Sequence, residues 1–263
     1  MELLHAIILG IVQGITEFLP ISSSGHLVLF PWIFDWTYQG VAFDAALHIG
    51  TLTGVLAYFW QHWKSIIFSF RRRDEKDHFY QKLLLFIVIA TVPGAVGGLL
   101  LEDYIEGIFR EPYVVASALI IFSFVIFFAD RLGNKVNDIS HINLKSAIII
   151  GLFQILALVP GVSRSGATIS GALFLGLKRE EAAKFSFLLS APIIFGAGIF
   201  TLPEIIREGI DASFIAGILS SAVAGYFAIK FLFKFLETRS YMVFVVYRIM
   251  LGIGIFGLIL ARG

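Results

Sequence analysis

Long apolar runs with little polar sequence between them make up most of this chain, and they fall into two length classes. Six are long: residues 42–61, 83–101, 113–130, 185–203, 213–230 and 242–261. Each approaches the roughly 20 residues that a helix needs to cross a hydrocarbon core, so each predicts a transmembrane helix. Two other regions are apolar but broken. Residues 3–16 and 26–34 flank the stretch Glu17-Phe18-Leu19-Pro20-Ile21-Ser22-Ser23-Ser24-Gly25, and residues 146–159 and 166–177 flank Pro160-Gly161-Val162-Ser163-Arg164-Ser165. A half-length helix, a break rich in Pro, Gly and Ser, and a second half-length helix predict a re-entrant hairpin that dips into the bilayer and returns. Irregular backbone at that depth must line a cavity or be buried by protein. The expected fold is all-α and polytopic, with six transmembrane helices and two re-entrant helical hairpins.

The order of runs repeats, as a hairpin followed by three spans, twice. A shift of 141 positions pairs Gly10 with Gly151, Gln13 with Gln154, Ser22 with Ser163, Ser24 with Ser165 and Gly25 with Gly166. The expectation is a single integral membrane domain, 1–263, built from repeats at approximately 1–130 and 141–263. Three spans per repeat invert the second copy relative to the first, and inverted repeats with broken helices place a site where the breaks converge. Basic residues orient the chain. If the loop carrying Lys64, Arg71, Arg72, Arg73, Lys76 and Lys82 is cytoplasmic, then Arg131, Lys135, Lys145, Lys178, Arg179, Lys184, Lys230, Lys234 and Arg239 are cytoplasmic too. Only Arg110, Arg207 and Arg262 then fall outside, the asymmetry that orients membrane proteins. Both chain ends and the mouth of the first hairpin are expected on the outer face.

Composition narrows the picture further. With 58% hydrophobic and 15% charged residues, no stretch remains for a sizeable soluble domain. The absence of cysteine excludes disulfides, thiolate metal sites and a Cys nucleophile. A formal net charge of +1 offers nothing to nucleic acid. The first residues lack the basic flank and small-residue cleavage site of a removable signal, so the N-terminal stretch is expected to belong to the mature fold.

Among the formally charged side chains only Glu17, Asp44, Arg164 and Arg248 fall in apolar or hairpin segments. A charge at the bilayer centre costs on the order of 3 kcal/mol on insertion scales, so function is the first reading for such residues. Arg248 has a plainer one, since it stands about one and a half turns from the inner end of its span and can snorkel to headgroups. Asp44 opens the first span, where a carboxylate also complements the helix N-terminus. His48 follows it at i, i+4, so that the two can form one wall of a cavity, and Gln13, Asp44 and His48 are together candidates to line that wall or to assist a metal ion.

Both breaks immediately precede a helix. Backbone N–H groups there, with Ser22, Ser23, Ser24, Ser163, Ser165 and Thr168, make a cradle for phosphate oxygens, to which Arg164 adds a planar cation. A single Ser-rich turn would be read as a helix cap; two that converge with a buried Arg favour binding. Glu17 and His26 bracket the first break and supply two candidate bases beside three serines. The 141-residue shift also pairs Ser23 with Arg164, which singles out Ser23 as the serine to share a phosphate with that guanidinium. Nucleophile and base stay open at this point: Ser23 with Glu17 or His26 as base, His26 itself, or water activated by Glu17 and a divalent ion. No helix carries three ligands at metal spacing, so a divalent ion is expected to be shared with substrate phosphates, with Glu17 the candidate protein ligand.

Residues 13–26, QGITEFLPISSSGH, resemble the first signature of the undecaprenyl-diphosphatase, or bacitracin-resistance protein, family, and residues 160–168, PGVSRSGAT, resemble the second. Residues 43–51, FDAALHIGT, are similar to the family's first full span. The resemblance implies a multi-pass hydrolase of the cell membrane that removes the terminal phosphate of undecaprenyl diphosphate, a carrier lipid of cell-wall polymers. It places the family's functional residues on Glu17, Ser22, Ser23, His26, Ser163, Arg164, Ser165 and Thr168. It further implies a divalent cation, Mg or Ca, membrane lipid as surroundings, bacitracin as a competitor for the substrate rather than for the protein, and leaves a homo-oligomer open. Gln13 stands where the family accepts Glu or Gln, which leaves one carboxylate fewer for an ion. The type 2 phosphatidate phosphatases also use Ser-Gly-His and Ser-Arg segments, but the His that they need beyond the Arg is missing, since position 170 is Ser. A polyprenyl-phosphate transporter or flippase is the rival from another class, because a midplane phosphate cradle serves alternating access equally well.

Overall fold

The first helix ends where proline interrupts it, and it is one of eleven α-helices in the computed structural model, which describes residues 2–71, 75–101, 104–105 and 107–262, the side chains of Glu75, Lys76 and Glu208 excepted. In chain order they are α1 (Leu3–Phe18), α2 (Ser23–Phe34), α3 (Val41–Tyr58), α4 (Trp60–Ser69), α5 (Glu75–Leu100), α6 (Pro112–Leu132), α7 (Leu144–Leu156), α8 (Arg164–Phe174), α9 (Arg179–Glu208), α10 (Ala212–Leu236) and α11 (Met242–Arg262). The described residues contain no β-strand, only one isolated bridge between Asn137 and Leu177. Arg72 and Arg73 of the basic loop lie outside the described residues.

Six helices, α3, α5, α6, α9, α10 and α11, are long and apolar enough to cross a membrane. The chain is a multi-pass membrane protein of all-α class. Its long helices extend past the expected apolar runs, because polar and charged residues continue a helix where headgroups and water receive them: α9 covers 179–208 where apolarity alone marks 185–203. The first span is the exception. It ends at Tyr58, and a separate helix, α4, follows the one-residue joint at Phe59.

The short helices α1, α2, α7 and α8 have 16, 12, 13 and 11 residues, or about 16 to 24 Å at 1.5 Å per residue, less than a full crossing. The breaks between them differ from the sequence expectation. Helix α1 continues through Glu17 to Phe18 and α2 already begins at Ser23, so the first irregular stretch is only 19–22. In the second, helix stops at Leu156 and resumes at Arg164, which leaves 157–163 irregular. Glu17 and Ser23 thus stand on helix ends, and their side chains have the fixed directions that helix geometry imposes.

Each first short helix packs on a long helix of the opposite half: α1 lies along α10 and α7 along α5. Glycine permits both approaches. A Cβ on Gly14 would stand 2.6 Å from the Ala224 Cβ, and one on Gly151, the counterpart of Gly10 in the other half, would stand 2.7 Å from the Ala90 carbonyl oxygen. Helices that come this close trade side-chain volume for backbone contact, the usual means of helix association in lipid. The long helices pair across the halves as well, α3 with α9 and with α10, and α6 with α11. The two breaks are thereby brought together in the interior.

Candidate active site

Ser22 and Ser163 open α2 and α8 in the same way. Their φ angles are 75° and 79°, and their side chains accept the N–H of Gly25 at 3.2 Å and of Gly166 at 3.1 Å. Each hydroxyl also meets the serine two residues on, Ser24 at 3.4 Å and Ser165 at 3.1 Å. Positive φ in a residue with a side chain costs on the order of 1–3 kcal/mol and persists only where surrounding contacts enforce it. Here the enforcing contacts cross between the breaks: Gly161 N–H donates to Ser22 Oγ at 2.9 Å, and Ser165 Oγ donates to the Leu19 carbonyl at 3.2 Å.

Glu17 is the hub of the site. Its Oε1 receives Arg164 Nη2 at 2.6 Å. Its Oε2 receives the hydroxyl of Ser23 and, at 3.0 Å, the side-chain amide of Gln13, while His48 Nε2 lies 3.5 Å away, an ion pair whenever the imidazole is protonated. The Glu17 side chain is only 4% exposed, against 14% for Arg164 and 29% for His48, so the carboxylate is the deepest of the three groups. Burial in a low-dielectric surrounding makes each of these contacts stronger than its counterpart in water.

The two candidate bases separate. His26 Nδ1 bonds the Ser22 carbonyl at 2.7 Å, which makes Nδ1 the protonated nitrogen, and Nε2 therefore accepts from the Tyr247 hydroxyl at 2.7 Å. With both nitrogens engaged elsewhere, Glu17 is the base that Ser23 touches. Thr168 lies one turn into α8, where its hydroxyl bonds the Arg164 carbonyl at 2.9 Å and Ser186 Oγ at 2.6 Å, while Arg164 Nη1 reaches the Ser186 carbonyl at 3.5 Å.

Asp44 does not join this cluster. Arg110 Nη2 donates to it at 2.6 Å and the Tyr38 hydroxyl at 2.8 Å, and Arg110 also bonds Tyr38 and stacks over its ring, 4.6 Å from the centroid. Burial, and then the charge of Asp44, push the Tyr38 hydroxyl above its ordinary range, so it stays protonated and remains a donor. His48 does meet residue 44 at i, i+4, but its Nδ1 bonds the Asp44 carbonyl at 2.7 Å and not the carboxylate. Helix geometry explains this, since the i−4 carbonyl is the acceptor nearest a side chain on the same face.

Arg248 departs furthest from its sequence reading. It does not snorkel: it is fully buried, with Nε on Ser123 Oγ at 3.1 Å, Nη1 on the Pro20 carbonyl at 3.2 Å and Nη2 on the Gly161 carbonyl at 2.8 Å. Tyr247, Ser186 and Ser123 were beyond sequence reasoning as well. They lie on long apolar helices, where a single hydroxyl carries no local signal, although an Arg inside a span is itself a signal of an interior partner.

A family model described as Bacitracin resistance protein BacA matches residues 6–254. The chain is 46% identical over its full length to an undecaprenyl-diphosphatase of Pelotomaculum thermopropionicum, covering 98% of that protein. It is 48% identical to one of Elusimicrobium minutum, over 96% of both chains, and 45% identical to one of Moorella thermoacetica, over 95% of both.

Proposed function

The chain belongs to the bacitracin resistance protein BacA family, and from that premise we propose that it hydrolyses undecaprenyl diphosphate to the monophosphate and inorganic phosphate, recycling the carrier lipid for cell-wall polymers. The relatives named above are hydrolases by name, which lends no support to a carrier or flippase. The observation that carries the reading is the Glu17 carboxylate, which holds the Ser23 hydroxyl on one oxygen and the Arg164 guanidinium on the other.

Ser23 Oγ attacks the terminal phosphorus. The Oγ–P bond forms as the bridging P–O bond breaks, the Ser23 proton passes to Glu17 Oε2, and the lipid monophosphate leaves. Phosphate monoesters have a second ionisation near 6, so this leaving group departs without an acid of its own. Glu17 then loses its proton to solvent and takes one from the water that attacks phosphoserine; as inorganic phosphate forms, the proton returns to Ser23. Arg164 has five N–H donors, of which Nη2 serves Glu17 and Nη1 reaches the Ser186 carbonyl, so that donors remain for the phosphate oxygens on which charge develops. The N–H groups opening α2 and α8 add to this field.

The donor set bears on the divalent ion. Glu17 and the Gln13 Oε1, a buried oxygen without a hydrogen-bond partner, are hard ligands that suit Mg or Ca. The described residues contain no group of three His, Cys, Asp or Glu that would hold an ion by themselves. Glu17 and Gln13 would be the residues to hold an ion, and its charge would neutralise that of the substrate phosphates.

In the membrane, the Lys- and Arg-rich end faces the cytoplasm and the short helix pairs enter as re-entrant hairpins, the first from the outer face. The site then opens outward in the cell membrane. Bacitracin acts by competing for the lipid diphosphate. Purified protein in detergent tests the reading: it should release inorganic phosphate from a polyprenyl diphosphate, and no release by folded protein supplied with Mg or Ca would refute it.

A further inference from the structure

Arg248 is a fully buried cation whose hydrogen bonds all go to neutral oxygens and whose guanidinium lies over the Phe122 ring, 6.0 Å from the centroid, and among the described residues no carboxylate lies within ion-pair distance of it. A buried charge is costly to keep unless each donor is used. Its two Nη nitrogens are used on carbonyls that belong to different breaks. Pro20 and Gly161 are 141 positions apart, so they are equivalent residues of the two halves, and Ser23 and Arg164 each follow three residues later.

The bonds across the breaks are one-sided without this arginine. Gly161 gives its N–H to Ser22 Oγ, but Pro20 has no N–H with which to return the bond to Ser163. The Pro20 carbonyl instead receives Arg248 Nη1, while the Gly161 carbonyl receives Nη2 of the same rigid plane. Ser123 fixes the rotation of that plane through Nε and is itself tied by its hydroxyl to the Leu119 carbonyl at 2.6 Å. A planar fork with both tines occupied holds its acceptors at a set separation, which a flexible ammonium does not.

We propose that Arg248 is a positioning residue for the reaction: by joining the Pro20 and Gly161 carbonyls it sets the distance between the Ser23 hydroxyl and the Arg164 guanidinium. This rests on the hydrolase reading and deepens it. Arg248 does not touch the reacting atoms; it acts through the backbone of both breaks. Reaction rates are sensitive to such placement, since a misplacement of about 1 Å can cost about 10²-fold.

Phosphate release by wild type and Arg248→Lys, per molecule of folded protein, tests it. Lys keeps the charge and loses the fork, so kcat should fall at least about tenfold while KM stays within about threefold. Ser123→Ala keeps both carbonyl bonds but frees the plane to rotate, and kcat should fall by a smaller factor, again with KM held. If Arg248→Lys does not fold, Ser123→Ala decides alone. A purely structural Arg248 would lower the melting temperature of either variant and leave kcat of the folded fraction unchanged, which would overturn the proposal, as would a rise in KM without loss of kcat. Inactive wild type would instead refute the hydrolase reading.

Discussion

Ser23 and Arg164, 141 positions apart and equivalent in the two halves of the chain, meet on the two oxygens of a single carboxylate, Glu17. One position of the repeat has become a hydroxyl and its counterpart a guanidinium, and both depend on a third residue that has no counterpart, since position 158 is Leu. The halves are therefore alike in backbone and unlike in chemistry. The shared part is the serine cap with positive φ at 22 and 163.

Replacing Ser23 with Ala should abolish turnover and leave diphosphate binding measurable, and Glu17→Gln should keep the shape of the site and remove its base. With a labelled terminal phosphate, acid-stable phosphoserine is the expected product of rapid quenching. Acid-labile phosphohistidine would move the nucleophile to His26, and near-wild-type hydrolysis by Ser23→Ala would exclude covalent catalysis at that serine.

Arg164→Ala should lower kcat by about 10² or more, the usual loss for an electrostatic stabiliser, and Lys should restore little because the fork is lost. Turnover above half of wild type in a folded protein would contradict the assignment.

Tyr247→Phe removes the only hydrogen-bond donor to His26 Nε2 among the described residues and leaves a buried acceptor unmade. A loss of about 1–3 kcal/mol in stability is expected, measured as a lower midpoint of thermal unfolding in detergent. An unchanged midpoint would mean that water replaces the hydroxyl at no cost.

The chain has no cysteine, so single Cys variants report sidedness without background. A probe at Lys145 should react only after the membrane is permeabilised, and one at Arg110 should react from outside on intact cells. The reverse pattern would invert the proposed orientation.

Gly14→Ala should weaken the seam of α1 and α10, where the added methyl meets the Ser221 carbonyl and Ala224 Cβ, both at 2.6 Å. Since α1 carries Glu17, activity and thermal stability should fall together, and a variant stable and active as wild type would show that the seam can open.

The six long spans, the short helix pairs and the Ser-rich turns were legible from the order of residues, as was the place of Glu17 and Arg164 as charges in apolar surroundings. Hydrophobic length is a local property, and a charge in an apolar run marks itself. What the residues touch was decided by the tertiary structure. His26 lies three residues from Ser23 yet turns to Tyr247, more than two hundred residues away, because helix α2 aims its ring at α11. Asp44 opens the helix that carries His48 but is claimed by Arg110 from a later loop. Arg248, in an apolar run that could equally let it reach headgroups, is buried against Pro20 and Gly161 by the pairing of α6 with α11. Sequence spacing governs partners within one helix; partners on different helices depend on crossing and rotation, which arise only when all the helices pack together.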